Sequence, residues 1–181
     1  AALAVTTSAS GAEYTLTAQK DAAAQDLIYQ HQSVNAANAG AVAVEMGHAY
    51  SKLSFLATAG NGYTGAANLT QVQITGGIYA TGTLNMLDGK VDPVGTATGT
   101  LTLAAGEKAL VVPMAGQPTI AVTCTIDDKE FTATIKADTM PSLLAGVEYE
   151  ITLTVVGQEA VISSVKEVPW TTTKVDGGTI S

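Results

Sequence analysis

Arginine is absent from this 181-residue sequence, cysteine occurs once, and aromatic residues make up only 5%. Each shortage excludes something. The single thiol, Cys124, rules out a disulfide within the chain. It lies in the alternating run Ile120, Val122, Cys124, Ile126, which reads as one apolar core face, and no base stands beside it in sequence to make it a nucleophile. With one Trp, two Phe and six Tyr, aliphatic side chains must fill the core, and little material is left for an exposed aromatic platform. Charged residues reach 13%, about half the usual share. Their balance is acidic, −8 at pH 7, so nucleic acid is not an expected partner. No run of about 18 apolar residues exists to form a transmembrane segment. The first ten residues lack the basic start and long apolar stretch of a signal peptide, so an export signal would precede this numbering.

Chemistry-bearing patterns are equally scarce. The histidines, His31 and His48, show no metal-ligand spacing, and His48 reads as a hydrogen-bonded structural residue ahead of a strand. No nucleophile elbow occurs, and the glycines of residues 60–65 lack the Gly-Lys-Ser/Thr of a phosphate loop. Asp127, Asp128 and Glu130 miss the calcium-loop register and read as solvated acids at a hairpin tip. The triplet Asn68-Leu69-Thr70 fits a glycosylation acceptor, a pattern too common to carry weight. No catalytic, metal or cofactor residue is assigned, and a structural or binding module is expected rather than an enzyme.

What the sequence does contain is period-two patterning. From about residue 42 onward, apolar and polar residues alternate: Leu53, Phe55, Ala57; Val72, Ile74; Leu101, Leu103; Ile120 to Ile126; Phe131, Ala133, Ile135; and Val147, Tyr149, Ile151, Leu153, Val155. Strands with one buried and one wet face produce this pattern, which is typical of antiparallel sheets. Turns are expected at Asp127-Asp128, Gly60-Asn61-Gly62, Gly76-Gly77, Asp88-Gly89 and Gly157-Gln158. The expected fold is an all-β, antiparallel sandwich of about seven strands, with a closed barrel as runner-up.

The first forty residues differ. Tyr14, Leu16 and Ala18 suit one strand, the alanines of residues 21–30 allow a helical turn or two, and residues 33–40 read as a linker. This portion is too short for its own core and must pack on the main body or on a neighbour. The expected organisation is an N-terminal strand and linker segment (1–40), a sandwich domain (41–170) and a polar C-terminal tail (171–181). Trp170, after Pro169, reads as a core-edge anchor that pins the final strand.

Several segments together resemble the fimbrillin family, the pilins of Bacteroides-type bacteria. His48-Ala49-Tyr50-Ser51-Lys52-Leu53-Ser54-Phe55 is similar to that family's His-Ala-hydrophobic-Ser-Lys-Leu-x-Phe strand. Leu110-Val111-Val112-Pro113 resembles its strand end, and the two strands around Asp127-Asp128 resemble the hairpin that follows. Leu144-Ala145-Gly146-Val147-Glu148-Tyr149 resembles its Leu-x-Ala-Gly-x-x-Tyr start, and the stretch from Val165 to Trp170 its closing pattern. The resemblance runs over residues 42–170, about seven tenths of the chain.

The resemblance implies a transthyretin-like, Greek-key sandwich corresponding to the second of two tandem domains, with too little chain upstream of residue 42 for the usual first one. It implies export as a lipoprotein precursor, trimming at an arginine, and polymerisation outside the cell through strand donation between subunits. The arginine-free composition suits survival past an arginine-specific protease. A structural fimbrial subunit on the outer-membrane surface follows, with other copies or related pilins as partners. The alternative is a tip adhesin binding a host protein or glycan through a loop such as 60–65. Candidate donor residues lie at the termini: Leu3 and Val5 at the start, and Thr171, Thr173, Val175 and Ile180 at the end.

Overall fold

The structure, a computed structural model, describes residues 5–8, 11–22, 25–30, 46–116 and 119–170. Among these residues are seventeen strands and no helix. In chain order they are β1 (Val5–Ser8), β2 (Gly11–Thr17), β3 (Gln19–Lys20), β4 (Ile28–Tyr29), β5 (Gly47–His48), β6 (Ser51–Ala59), β7 (Leu69–Ile78), β8 (Thr81–Asn85) and β9 (Val91–Val94). There follow β10 (Gly99–Ala104), β11 (Ala109–Val111), β12 (Met114–Ala115), β13 (Ile120–Ile126), β14 (Lys129–Ile135), β15 (Ser142–Leu143), β16 (Val147–Val156) and β17 (Glu159–Pro169).

Two sheets face each other across the main core. One has the order β10-β7-β13-β14, the other β17-β16-β6-β11-β3. The alternating residues meet between them: Leu53 and Phe55, Val72 and Ile74, Val122 and Cys124, Phe131 and Ile135, Tyr149 to Val155. Each aliphatic side chain taken fully out of water there contributes about 1.5–3 kcal/mol before its entropy cost. A third sheet, β1-β2-β8-β9, covers a second cluster of Leu16, Tyr50, Leu84, Leu110 and Val112. Strand β11 is buried on both faces, with Ala109 and Val111 in the main core and Leu110 in the second. Its unbroken apolar run, unlike the alternation elsewhere, is the signature of a strand with no wet face.

Several expectations need correction. The expected all-β sandwich holds; among the described residues its two facing sheets have nine strands, of which β3 and β11 are too short to show a period. Among the described residues every sheet keeps open edges, so it is a sandwich and not a barrel. The ladder between β6 and β16 is parallel, running from Lys52↔Glu148 to Ala59↔Val155. Alternation reports a one-sided burial and is blind to direction. No helix occupies the described part of residues 21–30; a turn closed by Gln25 N–H on Ala22 O leads to β4 instead. Gly76-Gly77 is not a turn but lies inside β7, where the register with β13 shifts. The linker expected at 33–40 lies outside the described residues.

The turn at Asp127-Asp128 does join β13 to β14 with two residues, both at positive φ (48° and 61°). This is the hand of turn that matches strand twist, and aspartate tolerates the left-handed region better than most side chains.

Candidate functional site

The strand exchange expected from the resemblance would need sheet edges and chain ends. Of the candidate donor residues, Leu3, Thr171, Thr173, Val175 and Ile180 lie outside the described residues. Val5 opens β1, where it pairs with Tyr14 of β2. Among the described residues β1 forms a ladder only with β2, and so makes one margin of the small sheet. The other margins differ in protection. Strand β9 carries Pro93, β14 begins with Lys129-Glu130, and β17 bears Glu159, Lys166 and Glu167, all features that discourage pairing. Strands β1 (Val-Thr-Thr-Ser) and β10 (Gly-Thr-Leu-Thr-Leu-Ala) carry neither charge nor proline.

Trp170, the last of the described residues, sits in a polar cluster. Trp170 donates its backbone N–H to Gly146 O at 3.2 Å. Its ring stacks on His48 with centroids 3.8 Å apart and planes 8° from parallel. Lys52 Nζ lies 3.6 Å from the centre of the same ring and 2.7 Å from Asp21 Oδ2. His48 Nδ1 is 2.7 Å from Asp26 Oδ2, while the other oxygen, Asp26 Oδ1, is buried without a hydrogen-bond partner. Lys52 is an almost buried cation whose charge is answered by the Asp21 carboxylate, the Trp170 face and, through space, Glu148 on the paired strand. The anchoring role expected of Trp170 and the structural role expected of His48 both hold. Sequence reasoning missed that Asp21, Asp26 and Lys52 belong with them, since no local period signals contacts between residues 22 to 122 positions apart.

The opposite end of the sandwich gathers three connections. Asp127 accepts hydrogen bonds from Tyr63 Oη (2.7 Å), Ala67 N (2.9 Å) and Asn68 N (2.9 Å). The Tyr63 hydroxyl first, then the Asn68 and Ala67 amides and Lys129, hold this carboxyl below its ordinary range. The same bond pushes the Tyr63 phenol up. Asp127 is thus a clasp that ties the 60–68 loop to the β13–β14 turn, not a solvated tip as the sequence suggested. Beside it lies an open cleft of about 460 Å³ lined by Tyr63, Gly65, Asp127, Lys129 and Gly157.

Cys124 is fully buried and its thiol is pushed up to about 11 by burial, so it packs as an apolar residue. Among the described residues no group of three His, Cys, Asp or Glu side chains stands close enough to hold a metal ion, and no helix is long and apolar enough to cross a membrane.

Sheets that bury aliphatic faces, tyrosine hydroxyls spent on backbone groups, and acids spent on turns and ion pairs define an all-β structural module. The fimbrillin-like family matches residues 4–170, and the chain belongs to that family. That family is one of structural, non-enzymatic proteins associated with pili. No curated protein matches the sequence. Among solved structures, the chain is similar to a candidate cell adhesion protein from Bacteroides uniformis, with 22% identity and a TM-score of 0.56 over 70% of this chain and 52% of that one. A second, from Bacteroides ovatus, shows 17% identity and a TM-score of 0.54 over 88% of this chain and 69% of that one. The chain spans about half the length of the first of these.

Proposed function

We propose that the chain is a fimbrial subunit that polymerises with copies of itself or with related pilins by donating a strand from one terminus to an open sheet margin of a neighbour. The observation that carries this reading is the family match over residues 4–170. The cell-adhesion descriptions of the similar Bacteroides structures agree with it. The physics agrees as well. An open margin presents unpaired N–H and C=O groups, and each net hydrogen bond formed by an incoming strand is worth about 1 kcal/mol. Donor residues at either end, Leu3 and Val5 or Thr171, Thr173, Val175 and Ile180, belong to this proposal, as do export as a trimmed precursor and the division into a 1–40 segment, a 41–170 body and a 171–181 tail.

Purified full-length chain is expected to form oligomers that withstand mild detergent, and removal of residues 171–181 is expected to abolish them if that terminus donates. Monomers at every concentration, with or without the tail, overturn the reading. One observation favours a second role: the cleft beside Tyr63 and Asp127 lies at the loop where an adhesin would bind a glycan or host protein. Saturable binding lost on Lys129→Ala supports that role, and a blank glycan array with no protein ligand removes it.

A further inference from the structure

Three connections meet beside Asp127: residues 60–65, the two-residue turn between β13 and β14, and the Gly157-Gln158 turn between β16 and β17. Glycine makes the space between them. A Cβ on Gly157 would meet nothing within 4 Å, and one on Gly62 would meet only Gly157, at 3.9 Å. Gly65 is needed for a different reason, since a Cβ there would collide with Asp127 Oδ2 and the Tyr63 ring. The walls are held before any ligand arrives. Asp127 ties Tyr63, Ala67 and Asn68 to the β13–β14 turn, and Gly157 N–H bonds Asn61 O at 3.2 Å. A site framed in this way loses little conformational entropy on binding. Its volume of about 460 Å³ is that of a small-molecule cleft.

Several polar side chains lining this space are uncommitted. The Thr64 hydroxyl, the Lys129 ammonium and the Gln158 amide make no hydrogen bond or ion pair among the described residues. By contrast, Thr58, Thr154 and Ser163 on β6, β16 and β17 spend their hydroxyls on one another, at 3.0 and 2.7 Å.

Charge and apolar content then select among ligands. Lys129 acts through space on Asp127, so the two charges of the cleft offset each other. Asp128, Glu130 and Glu159 adjoin the lining residues in sequence, and the chain as a whole carries −8. An anionic ligand therefore meets a repelling field, and a cationic one meets Lys129. No aliphatic side chain beyond the Lys129 stem lines the cleft, so a wholly apolar ligand would gain little. Its apolar surface is the half-buried Tyr63 ring, whose hydroxyl is spent on Asp127. An uncharged, hydroxyl-rich molecule fits this set. It accepts from Lys129 and the Gln158 amide N–H, donates to the Gln158 carbonyl and Thr64, and lays C–H surface on the ring.

We propose that this cleft binds a short neutral saccharide, held by Thr64, Lys129 and Gln158 over the glycine floor. The proposal rests on the second role given above, adhesion through this cleft, and names the ligand class which that role leaves open.

The test uses the full ¹⁵N-labelled chain, titrated with glucose-, galactose- and mannose-terminated neutral oligosaccharides beside sialylated ones. The neutral members are expected to shift the Gly62, Gly65 and Gly157 amides saturably. Gln158→Ala is expected to weaken that binding about tenfold with the melting temperature unchanged. Gly157→Asn is expected to abolish it, because asparagine tolerates the left-handed backbone and its side chain enters the open space. Sialylated members binding alone, or a protein ligand at the same amides, overturn the neutral-saccharide class while leaving the adhesive role standing. Neutral-sugar shifts confined to other amides, or insensitive to both variants, overturn the site. No shift from any saccharide, together with no protein ligand, overturns both.

Discussion

Trp170 carries more of the fold than a residue at a chain's margin usually does. Its ring is shared by His48 and the Lys52 ammonium, whose further counter-charges are Asp21 in an ion pair and Glu148 through space. Trp170→Ala is expected to cost about 2 kcal/mol in urea unfolding, with Trp170→Phe recovering part of it because a ring face remains. Asp127 supplies a second prediction. Its folded value lies below its ordinary one, so its contribution is complete above the unfolded value of about 4 and fades as pH falls through the lower folded value. The amide resonances of Ala67 and Asn68 are therefore expected to titrate with a midpoint below that ordinary value, and to lose the transition in Asp127→Asn. A midpoint at or above it contradicts the clasp. Cys124, with its thiol at about 11, is expected to resist thiol reagents at pH 8 until the protein unfolds.

At the scale of elements, the glycine pair in β7 separates local conformation from packing. A Cβ on Gly77, at φ 87°, would meet Thr119 O at 2.3 Å and Ile120 Cα at 2.5 Å, both backbone atoms that cannot yield cheaply. Gly77→Ala is expected to lose more than about 3 kcal/mol, because steric overlap adds to the left-handed penalty. Gly95→Ala, at φ 83° with nothing within 4 Å of the added carbon, is expected to lose only about 1 kcal/mol. Equal costs would show that overlap at β13 is relieved by movement. The same strands mark what the sequence makes legible. Strands β13, β14 and β16 alternate because one face is buried and the other is wet, so they can be read directly. Strand β8 cannot, since Thr-Gly-Thr-Leu-Asn offers only Leu84 to the second core. The parallel direction of β16 against β6 is hidden for the same reason that both strands are visible: Glu148, Glu150 and Thr152 face partly outward whichever way the partner runs. The clasp at Asp127 and the cluster at Trp170 join residues far apart in sequence, where no local period reaches. The terminal donor residues were named from resemblance and alternation, and nothing local fixes which of them meets a partner.

For the whole molecule, the account comes down to unequal pairing. Two facing sheets close their core well, yet among the described residues the small sheet ends in an uncharged β1 and the latter half of β6 has one side without a ladder. In a low-charge protein of net −8, such edges offer backbone that, on the proposed reading, a partner's strand completes. On the self-assembly proposed above, that partner is another subunit of the same kind. The most direct measurement is negative-stain electron microscopy of the purified full-length chain over a range of concentrations, beside the chain lacking residues 171–181. The account predicts filaments or linear oligomers from the first and single particles from the second. Single particles from both, at every concentration, would contradict it.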